Sequence, residues 1–154
     1  MTESIDSKPP IVIATVGGPV DEARVSLAVY SDDLQPETIT SLLSCSPSRS
    51  HRRGERKRAG SVPFPTGAWI LTEEGGPHES VDPIIRRLLM RLPDDDRVWL
   101  QLARDHELQV RFGVHMSGWN RGFSISTDAL ARLSRMQVSL EFDLYAYGDD
   151  DTDE

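Results

Sequence analysis

The chain contains a single cysteine, Cys45. It therefore has no intramolecular disulfide and no zinc site built from several thiolates. Long apolar runs are missing as well. Near the N-terminus the longest is Ile11 to Val16, far short of the roughly 20 apolar residues that cross a bilayer. Glu3 and Asp6 precede it, where a secretory signal carries Lys or Arg. No export signal and no membrane span are expected, and a reducing cytoplasm fits. There is no Gly-x-Ser-x-Gly elbow, no phosphate-binding Walker loop and no dinucleotide fingerprint, so no cofactor is expected. The four histidines, His51, His78, His106 and His115, share no ligand spacing on a helix, and no metal is expected.

What is present is enough for one core. The 154 residues are 38% apolar and 27% charged, the mix of a single folded domain. The net charge of −8 is unevenly spread. Between Arg49 and Arg58 six basic residues face Glu55 alone, a local +5, which leaves −13 on the rest. An acidic body thus carries one basic loop, and contact with nucleic acid would be confined to that loop.

Hydrophobic period locates the elements. Val25, Leu27 and Val29 alternate with Arg24, Ser26, Ala28 and Tyr30, the pattern of a half-buried strand. Pro36 and Glu37 open a helix with Ile39, Leu42 and Leu43 inside. Residues 44–67, rich in Ser, Arg, Gly and Pro, read as a mobile loop. Trp69 and Leu71 share one face of a short strand. Asp82-Pro83 reads as the cap and first position of a helix striped by Ile84, Ile85, Leu88, Leu89 and Leu92. Asp94 reads as the cap of another, with Val98, Trp99 and Leu102 inside. Leu108, Val110, Phe112, Val114 and Met116 alternate without interruption. Ser117 to Gly122 reads as a hairpin turn, with Phe123 and Ile125 as the return strand. Ser126 or Thr127 caps a helix with Leu130 and Leu133 buried. Val138, Leu140, Phe142 and Leu144 make the last strand.

This order predicts an α+β fold: an antiparallel, ferredoxin-like split β-α-β sheet, helices mainly on one face, and a two-helix insertion. Residues 1–22 form an arm with a candidate extra strand at Ile11 to Val16. Residues 23–147 form the domain, and 148–154 an acidic tail.

The run Val29-Tyr30-Ser31-Asp32-Asp33-Leu34-Gln35-Pro36-Glu37-Thr38-Ile39 resembles the opening of a bacterial family catalogued as domain of unknown function 4279. Ser46-Pro47-Ser48-Arg49 with the basic loop, Trp69, and Leu140-Glu141-Phe142-Asp143-Leu144-Tyr145 fit the same pattern. The resemblance spans about Ala23 to Tyr147. It implies a bacterial domain without established chemistry and transfers no site residue.

Two groups of residues are candidate sites. Arg49, Arg52, Arg53, Arg56 and Arg58 present planar forks suited to phosphate or carboxylate, or to RNA. Against this stands a plain solvated loop resting on the acidic body, and Phe64 and Trp69 lie outside the basic stretch. On the polar face of the last two long strands, Arg111, His115, Glu141 and Asp143 lie within reach of one another. They read as cross-strand ion pairs first and as catalytic groups second. Cys45 reads as incidental, since position 51 is His and no Cys-x5-Arg phosphate cradle exists. The leading expectation is a non-catalytic module whose partner is another protein, for which an immunity- or antitoxin-like role would suit. The alternatives are a phosphate ligand or RNA on the basic loop, and an enzyme using the polar sheet face. No membrane partner is expected.

Overall fold

The computed structural model describes residues 19–118 and 120–147. The candidate strand at Ile11 to Val16 and the acidic tail lie outside the described residues. In chain order the elements are β1 (Glu22–Ser31), α1 (Pro36–Leu43), β2 (Arg49–His51), β3 (Gly67–Glu74), α2 (Val81–Met90), α3 (Asp96–Asp105), β4 (Glu107–Met116), α4 (Thr127–Arg135) and β5 (Ser139–Ala146). The five strands form one sheet in the order β2-β3-β1-β4-β5.

β1 is the central strand. It runs antiparallel to β3, with Leu27 opposite Leu71, and antiparallel to β4, with Leu27 opposite Val110. Its apolar side chains Val25, Leu27 and Val29 are fully buried. They join Trp69 and Leu71 of β3 and Val110, Phe112 and Val114 of β4 in one core. Buried residues from each of the four described helices belong to that same core: Ile39 and Leu43 of α1, Ile84 and Leu88 of α2, Trp99 and Leu102 of α3, Ala129 and Leu133 of α4. The helices therefore cover one face of the sheet, as period two and the helical stripes require. Two helices, α2 and α3, lie between β3 and β4.

The expected all-antiparallel sheet is corrected. β5 runs parallel to β4, with Val110 opposite Leu140 and Phe112 opposite Phe142, so the sheet is mixed. Parallel neighbours need a long crossover, and α4 provides it. The expected return strand at Phe123 and Ile125 does not form. Both residues are half-buried against the core in the loop before α4, and Phe123 stacks on Phe142 with ring centroids 6.2 Å apart. Alternation there reflects packing of an extended loop, which leaves the same imprint as a strand.

Helix starts shift by one or two residues. Ser80 and Asp95, rather than Asp82 and Asp94, are the N-caps of α2 and α3, and Asp95 accepts from the Arg97 N–H. Asp82 has another task. Its Oδ1 accepts from the backbone N–H of Ser126 at 2.8 Å, tying the start of α2 to the cap of α4. Within α4, Leu133 is buried but Leu130 is exposed, and Ala129 takes the inward position. The 44–67 segment contains β2 and is closed by paired backbone bonds, Gly54 N–H to Phe64 O and Phe64 N–H to Glu55 O.

Candidate functional site

No described helix covers the opposite sheet face, although Ala28, Ala68 and Ile70 are buried on it with Tyr30 packed against them. Residues one step from the core positions lie there by the strand period: Arg24, Ser26 and Tyr30 from β1, Thr72 and Glu74 from β3, Arg111 and His115 from β4, Glu141, Asp143 and Tyr145 from β5. Register sets the neighbours. Arg111 lies between Ser26 and Glu141, Gly113 between Arg24 and Asp143, and His115 between Glu22 and Tyr145.

Arg111 is the centre of this surface. One of its terminal nitrogens lies 3.4 Å from Glu141 Oε1 and 3.5 Å from Asp143 Oδ2, and the other donates to the Tyr30 hydroxyl at 3.5 Å. Burial alone would lower its pKa, but the Tyr30 hydroxyl and the two carboxylates outweigh it and raise the value. These contacts are long, and the Arg111 Nε is buried without a partner. His115 stacks on Tyr145 with ring centroids 4.7 Å apart. Across β1 and β3, Ser26 and Thr72 share a 2.8 Å hydrogen bond. Arg24 lies over Gly113: a Cβ there would come within 3.3 Å of the Arg24 Cγ. Glycine thus clears the path for the arginine stem across β4. The result is a shallow concavity of about 340 Å³ with Arg24, Arg49 and Arg111 in its lining, together with Glu74 and Asp143.

The basic loop does not present its arginines as one patch. Arg52 donates to Glu37 at 2.6 Å and to Gln35 at 3.1 Å. Arg53 lies 3.6 Å from Asp32. Arg56 bonds the Ser61 carbonyl, and the Arg58 backbone N–H meets the Ser61 hydroxyl. Only Arg49, on β2, lines the open-face concavity. It also lines a second one of about 530 Å³, with Tyr30, Arg56, Lys57 and Phe64. Phe64, just beyond the basic stretch in sequence, is folded back beside Arg49 and Arg56 and stacks on His51 with ring centroids 3.6 Å apart. Burial lowers the His51 pKa.

Of the two expected groups, then, the strand-borne one converges and the loop-borne one divides. Arg24, Ser26, Thr72 and Glu74 are additional members of the converging set. The alternation of β1 already placed the first two on this face. Among the described residues no three His, Cys, Asp or Glu side chains gather as metal ligands would, and no helix is long and apolar enough to cross a membrane. The open face offers hydrogen-bonding and charged groups of both signs, basic toward β2 and acidic toward β5.

No curated protein and no solved structure matches the chain. Residues 21–147 match the model of the family described as Domain of unknown function (DUF4279), and the chain belongs to that family.

Proposed function

We propose that the protein is a non-catalytic recognition module and that the uncovered sheet face is where it docks another protein. One observation carries this reading. Five strands present charged and polar side chains of both signs on a broad, shallow surface with no helix over it. Mixed charge on a shallow face suits orientation-specific docking, since complementary signs fix register and exclude wrong partners. Glu141 and Asp143 already face Arg111, so the cluster resembles an ion-pair network more than an acid–base pair. Affinity capture from the native cell tests the reading. A stoichiometric protein partner should be held by the parent chain and by Met90→Glu, a change on the exposed side of α2. It should be lost on Arg24→Glu with Thr72→Arg. Absence of any specific partner, or capture indifferent to the face variant, refutes the proposal.

A second reading rests on the larger concavity. Arg49, Arg56 and Lys57 beside Tyr30 and Phe64 combine cations with aromatic faces, a combination that holds phosphate-bearing ligands and single-stranded RNA. Binding of a short RNA oligonucleotide should weaken steeply with salt. Binding that survives Arg49→Ala and Arg56→Ala removes this alternative.

A further inference from the structure

β5 is an outer strand that pairs only with β4 among the described residues. Just past its end the Tyr147 N–H donates to the Met116 carbonyl at 2.9 Å. By the period of two, the backbone groups of Leu140, Phe142 and Leu144 then point away from β4, toward the edge that no other described strand pairs with. Sheet edges are usually shortened, bulged, or guarded by Pro or by charged side chains, Lys above all. β5 has eight residues and no Lys or Pro, and its charged residues, Glu141 and Asp143, are both acidic.

Its two faces differ in chemistry. On the helix side Phe142 is 44% exposed and Leu144 54%. On the other side Glu141 and Asp143 share the single guanidinium of Arg111, which leaves one negative charge in excess. A second copy of the chain is a poor occupant. Antiparallel pairing of two β5 strands would set carboxylates against carboxylates, which is repulsive. An acidic segment is excluded for the same reason.

We propose that β5 accepts an extended segment of a partner protein in which cationic and apolar side chains alternate. Main-chain hydrogen bonds extend the sheet by one strand. The apolar side chains of the segment cover Phe142 and Leu144, and its Lys or Arg residues meet Glu141 and Asp143. The net charge of −8 attracts such a segment over distance. The inference rests on the reading that the partner is a protein, and it names the sequence pattern and the edge by which that partner is held.

The probe is a blocked seven-residue peptide alternating lysine and valine, titrated into the isotope-labelled full chain. The amide signals of Leu140, Phe142 and Leu144 should shift and saturate. The double variant Glu141→Gln/Asp143→Asn should bind about tenfold more weakly, the effect of two exposed ion pairs. A glutamate–valine peptide should be weaker by at least as much. Equal binding of the two peptides overturns the inference. So do shifts confined to Arg24, Ser26 and Thr72, no binding at all, or self-association of the free chain through β5. A partner captured from the cell that ignores the β5 variant but needs Arg24 and Thr72 would sink this inference and leave the docking face standing.

Discussion

Replacing Asp82 should loosen the domain by an amount that the geometry sets. Its Oδ1 accepts the Ser126 N–H at 2.8 Å and its Oδ2 accepts the Arg86 Nε–H at 2.9 Å. The Ser126 hydroxyl in turn caps α4 through the Ala129 N–H at 3.3 Å and receives Arg86 at 3.1 Å. A hydrogen bond to a charged group contributes about 1.5–3 kcal/mol, and partial exposure puts this one near the lower end. The i,i+4 pair with exposed Arg86 adds little to this. Asp82→Ala should therefore cost about 2 kcal/mol, which lowers Tm by about 4–8 °C in a chain of this size. Asp82→Asn retains an acceptor for Ser126 and should lose about half as much. The Ser126 N–H first, then Arg86, hold the Asp82 carboxyl below its ordinary pKa. The unfolded chain thus takes up the proton first, near pH 4 or about 3.9. The stabilisation is present above that pH and fades as pH falls through the folded value. Urea unfolding of parent and Asp82→Asn between pH 7 and pH 3 measures both effects. An alanine variant as stable as the parent, or a gap that does not narrow in acid, would refute the reasoning.

Three further outcomes follow from other contacts. Gly67→Ala should destabilise by about 1–3 kcal/mol, because a Cβ there would sit 2.8 Å from the Leu34 Cβ and 2.9 Å from the Ser31 carbonyl oxygen. Gly76→Ala, with nothing within 4 Å, is the control that should leave the melting curve in place. Trp69→Phe removes the 3.0 Å bond from the indole to Thr40 that joins β3 to α1. It should cost about 1–2 kcal/mol; an unchanged urea midpoint would show that the bond contributes nothing. For His51, burial lowers the pKa, so its contribution is present above the ordinary value of 6.5 and declines as pH falls through the lowered one. NMR titration should place its midpoint below 6.5, with amide protection at Gly54 and Phe64 falling in step, and a midpoint at or above 6.5 contradicts that.

β4 could be read directly from the sequence, since five apolar residues alternate with no exception and every one is buried. The direction of its partner could not. A hydrophobic face states which side of a strand is buried and says nothing about whether the neighbour runs with it or against it. β2 escaped for a different reason: its three residues, Arg49, Ser50 and His51, carry no apolar face to signal pairing. Leu130 and Leu133 share one helical stripe, but α4 is rolled so that Ala129 faces the sheet and Leu130 faces out. At the site, period two puts Arg111, His115, Glu141 and Asp143 on one face, and the parallel register of β4 and β5 sets which of them meet. The fate of the basic loop depended on where Glu37 and Asp32 came to lie, and that is fixed by the tertiary fold.

Among the described strands, the first in chain order is also the one that ends in the middle. β1 has one neighbour only after residue 74 is made and the other only after residue 116. Until then its two rows of amide and carbonyl groups, and Val25, Leu27 and Val29 beside them, stay bare. Every β1 contact with β3 or β4 spans a long stretch of chain, which places the domain among slow folders. Residues 22–31 should therefore be the described strand most open to misassociation before the sheet closes around it.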